Sequence, residues 1–239
     1  MTRKDFMKEW KSAKNLHHSG RLEESIELYN KLVSTIEDRE SVMLKENDSS
    51  NEYYDKQILF EKAMFWGDFT APLADNGHFE LALEASKKAL CYKEKGDFTT
   101  LLYIYFNTAN IHLFNKSYEA ALIWYNKALF ENETNGIWLN ENEKAKYYNN
   151  KAEALYFLKH YDESEKWFLK AIDTVDNNKD FEPFYFLSLL SKLKGNEKLS
   201  QKFHKMFLVR KNKLSENVFL QRIRFYDQTT LLNINSYNS

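Results

Sequence analysis

At 239 residues and a formal net charge of −1, the chain is long enough for one sizeable domain. It is too nearly neutral for a general nucleic-acid binder, which needs a strong positive excess to offset phosphates. One cysteine, Cys91, excludes an intramolecular disulfide, and 2 prolines with 6 glycines exclude a proline-rich linker.

The first ten residues carry charge but no apolar h-region, so no signal peptide is expected. No apolar run approaches the roughly 20 residues of a membrane span, and a cytoplasmic location is expected. Residues 4–18 and 22–39 read as a helical hairpin turning at Gly20, in which Ala13 and Leu16 face Leu22, Ile26, Tyr29 and Val33. Periodicity is then lost from Lys45 to Glu52, a solvated loop. A second hairpin over 53–94 turns at Asn76-Gly77-His78, and Pro72 inside it, near Gly67, is expected to kink the helix.

A third hairpin over 98–131 turns at Asn115 to Ser117 and contains Tyr118–Leu129 (YEAALIWYNKAL). There small residues at Ala121 and Ala128 alternate with Tyr118, Leu122, Tyr125 and Leu129 at helical spacing. An acidic stretch from Glu131 to Glu143, with a turn at Asn135-Gly136, leads to a fourth hairpin over 141–176 turning at Lys159-His160. Beyond Asp180 the pattern degrades. Residues 182–210 read as a fifth hairpin, with Gly195 between its helices and no small-residue positions, followed by a helix over about 215–226 and a fraying polar tail. The domains expected are therefore 1–213, all repeats, and 214–239, a capping helix and tail.

Four hairpins share one grammar. The first carries Ala13, Gly20, Leu22, Ser25, Tyr29 and Leu32, and the second Trp66, Gly77, Phe79, Ala82 and Ala89. The third carries Tyr105, Ala109, Tyr118, Ala121, Tyr125 and Ala128, and the fourth Tyr148, Ala152, Tyr161, Ser164, Phe168 and Ala171. This resembles the tetratricopeptide repeat family, and the resemblance implies an all-α, right-handed α-solenoid of antiparallel helical hairpins. Two departures stand out. The spacings of 57, 39 and 43 residues from Leu22 through Phe79 and Tyr118 to Tyr161 exceed the family's usual ~34, and the closing proline is missing. Longer repeats of this kind are similar to those of kinesin light chains and bacterial peptide-sensing regulators.

In that family the first helix of each hairpin lines a concave groove. The resemblance then implies a partner surface including Lys14 from the first repeat and Tyr103, Phe106, Asn107 and Asn110 from the third. The fourth contributes Asn149, Asn150 and Glu153. An asparagine amide donates and accepts at once, so it can pair with the main chain of an extended peptide whatever its side chains. The alternative is that these amides face water or tie neighbouring helices together. The family's carboxylate clamp is incomplete, because Phe106 replaces its first lysine and Glu182 and Phe186 its last cations.

No catalytic or metal motif occurs. His17 and His18 are adjacent on a helix and point about 100° apart, His112 faces its hairpin partner, and Cys91 has no activating neighbour. No enzyme activity and no cofactor are expected. From Lys192 to Arg224 ten Lys or Arg stand against Glu197 and Glu216, a locally basic end. The function expected is non-catalytic binding of another protein or an extended peptide in the groove, as a scaffold or adaptor. Two alternatives stay open: a peptide-responsive regulator acting through a protein partner, and nucleic-acid binding at the basic end. Oligomeric state stays open.

Overall fold

Helix is the sole regular structure among the residues described in the computed structural model, which are 1–38, 52–92, 98–135, 139–175, 180–226 and 230. The loop expected at 45–52, save Glu52 which opens a helix, the Gly136 half of the Asn135-Gly136 turn and nearly all of the tail lie outside them. The chain divides at 138/139 into two compact units. Unit 1 holds α1 (Arg3–His18), α2 (Leu22–Glu37), α3 (Glu52–Asp75), α4 (Phe79–Tyr92), α5 (Phe98–Phe114) and α6 (Tyr118–Thr134). Unit 2 holds α7 (Glu141–Phe157), α8 (Tyr161–Thr174), α9 (Glu182–Leu193), α10 (Glu197–Lys211) and α11 (Glu216–Ile223). The fold class is all-α, tetratricopeptide-like, built of antiparallel hairpins.

One turn closes all five hairpins. Gly20, Gly77 and Gly195 take φ of 79°, 80° and 72°, and Lys116 and Lys159 take 59° and 64° at the equivalent places. At each, the left-handed residue and the one after it donate back to carbonyls of the final helical turn, as Gly77 N does to Ala74 O and His78 N to Leu73 O. That pair of bonds satisfies carbonyls the ending helix would leave orphaned.

Small residues let the paired helices approach. Ser25 Oγ donates to Ala13 O and Ser164 Oγ to Ala152 O, both at 2.8 Å and both twelve residues back. Ser200 Oγ donates to Ser188 O in the same way at 2.9 Å. The fifth hairpin therefore keeps its small pair, which corrects the expectation that it lacked one. Serine serves because its hydroxyl bonds the facing carbonyl and hides its own polarity.

Unit 1 is cored by aromatics, with Phe65 ringed by Phe6, Trp10, Tyr29 and Trp66 and with Tyr29 stacked on Phe69 at 4.7 Å. Glu37 ends α2 and ties it to the next hairpin, accepting from Trp66 Nε1 at 2.8 Å and Tyr92 Oη at 2.7 Å. Pro72 lies in the last turn of α3, whose helix runs on to Asp75. The core of unit 2 is likewise aromatic, with Phe168 stacked on Phe186 at 5.2 Å and Tyr185 and Phe181 against Phe207.

Candidate functional site

In unit 1 the residues singled out on first helices converge on the middle of α3. Gly67 has no side chain, and α5 comes close there: a Cβ at that position would lie 3.3 Å from the Tyr103 ring. That approach brings Asn107 Nδ2 to 3.2 Å from Gly67 O and Tyr103 Oη to 2.8 Å from Asp68 Oδ1. Lys14, reaching from α1, pairs with the other Asp68 oxygen at 2.9 Å. Lys14, Tyr103 and Asn107 thus meet around Gly67 and Asp68. Asn110 and Phe106 turn instead toward α6, where Asn110 Oδ1 accepts from Tyr125 Oη at 2.6 Å and the Phe106 and Tyr125 rings lie 6.0 Å apart.

Alongside this cluster, α1 and α3 enclose a cleft of about 650 Å³. Its apolar wall is Met7, Trp10, Phe60 and Met64; Met7 and Phe60 are each 39% exposed although large and apolar. Basic residues from α1 rim it: Arg3, Lys11, Lys14 and His18. Two of the four hold acids, because Arg3 forks onto buried Glu61 and Lys14 holds Asp68, while Lys11 and His18 are exposed. Phe60, Glu61, Met64 and Asp68 share one face of α3 at three-to-four residue spacing. Extending that face by a turn would have added Phe60 and Glu61 to the sequence reading, whereas nothing in the sequence pairs them with Arg3.

In unit 2 Asn149 and Glu153 are buried against each other, with Asn150 half-buried beside them. Asn149 and Glu153 are each 6% exposed, and Asn149 Nδ2 donates to Glu153 Oε1 at 2.8 Å and to Asn150 Oδ1 at 3.1 Å. Burial pushes the Glu153 carboxyl up to about 8, helped by nearby Glu182 and opposed by hydrogen bonds from Asn149 and Tyr226. Glu182, on α9, is also raised by burial, to about 7, against the pull of Arg222. Arg222 forks onto Glu182, with Nε at 2.6 Å from Oε1, and its Nη2 reaches Asp180 at 2.8 Å. The acids of α7 and α9 are therefore covered by the C-terminal segment. Sequence reading did not find this cover, because nothing local links Arg222 to an acid forty residues earlier.

Other candidates settle into structural roles. His17 Nε2 lies 2.9 Å from Asp75 Oδ2. Burial lowers the His112 imidazole. Among the described residues no group of three or more His, Cys, Asp or Glu could hold a metal, and no helix is long and apolar enough to cross a membrane.

Residues 145–174, the α7–α8 hairpin, match a family model described as a tetratricopeptide repeat. Among curated proteins none matches the sequence. Among solved structures, BtubC (BKLC) from P. vanneervenii is 19% identical with a TM-score of 0.62, covering 82% of this chain and 75% of its own. The apo form of RapI is 14% identical with a TM-score of 0.63, covering 97% of this chain and 63% of its own. A Podosopora anserina protein with nearly identical kinesin light chain TPR-like repeats is 12% identical with a TM-score of 0.59, covering 89% and 97%. At such identities the likeness speaks to fold alone. The chain thus carries a tetratricopeptide repeat at 145–174 within a tetratricopeptide-like stack of hairpins.

Proposed function

We propose that the protein is a non-catalytic scaffold that binds another protein or an extended peptide, and that in unit 1 the α1–α3 cleft receives it. One observation carries the reading: a cleft of about 650 Å³ combines exposed Met7 and Phe60 with exposed Lys11 and His18 on its rim. Large apolar side chains left in water beside the exposed Lys11 ammonium favour a ligand with a bulky apolar anchor flanked by carboxylates. Lys14 on the rim, with Tyr103 and Asn107, then holds α1, α3 and α5 in register through Asp68 and Gly67.

Anisotropy of labelled peptides on the full chain tests this. Acidic peptides with one Phe, Leu or Met anchor are expected to bind at least tenfold tighter than basic peptides of equal length. Met7→Glu with Lys11→Glu is expected to weaken them by about tenfold or more, about 1.4 kcal/mol, with helical circular dichroism unchanged. Indifference to peptide charge, or to the double substitution, refutes the assignment.

A further inference from the structure

The acidic recess of unit 2 is built around a guanidinium. Glu182 takes Arg222 through two nitrogens, Asp180 takes one of them again, and the Phe181 ring lies 4.8 Å from the guanidinium carbon. Planar fork to carboxylate, with an aromatic face beside it, is the geometry that distinguishes arginine from lysine. Without that cation, Glu182 and Glu153 would sit buried near each other with no positive charge between them.

The element that brings the arginine is short. α11 spans 8 residues, fewer than the roughly 12 at which an isolated helix becomes even marginal in water, so its helicity depends on docking. Phe219 packs 5.2 Å from Phe181, Ile223 is 3% exposed, and Tyr226 meets Phe157 and Phe186 while its hydroxyl bonds Glu153. Phe219, Arg222 and Ile223 fall at i, i+3 and i+4 on α11, the spacing by which an amphipathic helix is read by a groove, and Tyr226 follows in the turn just past its end.

We infer that the recess formed by α7 and α9 is an arginine-reading peptide site, filled in cis by residues 219–226, and that it takes a partner helix bearing Phe-x-x-Arg-Ile-x-x-Tyr chemistry when that segment lets go. The site lies within unit 2 and stands whether or not the α1–α3 cleft of unit 1 binds anything. The groups facing Arg222 are Asp180, Glu182 and, one layer behind, Glu153 with Tyr226.

The test uses the full chain and a labelled synthetic peptide of residues 215–230. Wild type, its recess occupied, is expected to bind the peptide weakly. The full-length Arg222→Glu variant, whose own segment now meets Glu182 with like charge, is expected to bind it at least tenfold tighter. The same peptide carrying Arg222→Ala is expected to lose that gain, as is the chain when Asp180→Asn and Glu182→Gln are added. No gain in Arg222→Glu with helicity intact overturns the site. Loss of the helicity and melting of unit 2 in that variant would make the segment a fixed structural cap, which also overturns it. Native-state hydrogen exchange on unmodified protein gives an independent reading. Residues 216–226 are expected to exchange well before 182–193, and exchange of both segments together contradicts release.

Discussion

A carboxyl buried as deeply as Glu153 keeps its proton in preference to its charge, and that preference couples folding to pH. Its folded value of about 8 lies above the ordinary 4.5, so the folded chain binds the proton more tightly than the unfolded chain. The stabilisation is complete below about 4.5 and is lost as pH rises through about 8. Denaturant melts of the full chain should therefore show unit 2 weakening between pH 5 and pH 9, by about 2–4 kcal/mol. Glu153→Gln keeps the shape and removes the titration, so its slope over that window should be shallower, with Glu182 supplying the remainder. Equal slopes in both proteins would mean that Glu153 is charged throughout. Sequence spacing could place Glu153 on the same helical face as Asn149, but not bury it. The Tyr226 hydroxyl that bonds Glu153 and the Arg222 charge near it come from about seventy residues away, and no local pattern encodes them. Lys14 was legible as a first-helix cation, whereas its engagement by Asp68 depends on how closely α1 approaches α3.

At the level of helices, the hairpins repeat one backbone device with two different residue types. Glycine adopts the left-handed region without cost, while a side chain there costs roughly 1–2 kcal/mol. Lys116 at φ 59° and Lys159 at φ 64° bear that cost, and Gly77 at φ 80° does not. Lys116→Gly and Lys159→Gly are each expected to raise stability by about 0.5–1 kcal/mol, because the unfolded glycine recovers part of the gain in entropy. Gly77→Ala should lose about 1 kcal/mol. Nothing lies within 4 Å of a Cβ built at Gly77, so that loss would be backbone strain alone. Thermal melts of the three variants decide it, and a destabilised Lys159→Gly would show that the lysine side chain itself matters. The hairpins were readable because little and large residues must alternate wherever helices cross. The fifth was under-read because Ser188 and Ser200 look polar in sequence, and only the bond from Ser200 to the Ser188 carbonyl shows them acting as small residues.

Over the whole chain, the contest between a protein-binding and a nucleic-acid-binding reading turns on where the cations are held. Ten Lys or Arg between 192 and 224 make that end basic on paper. In the folded chain Lys194 is held by Asp162 and Glu165 at 2.7 and 2.6 Å, and Arg222 by Asp180 and Glu182. Arg210 and Lys211 lie over the rings of Phe184 and Phe219 at 3.8 and 4.9 Å. Lys198, Lys202 and Lys205 stand exposed at three-to-four residue spacing on α10, enough for about three phosphates. Each phosphate contact on a single strand contributes about −0.7 to the slope of log affinity against log salt. Three contacts therefore predict weak binding with a slope near −2. A salt titration against labelled single-stranded nucleic acid reads that slope directly. A value of about −5 or steeper would need about seven contacts, more than the α10 lysines supply, and would move the functional surface to the C-terminal end. A slope near −2 or no binding leaves those cations in their internal pairs, Lys194 with α8 and Arg222 with Asp180 and Glu182.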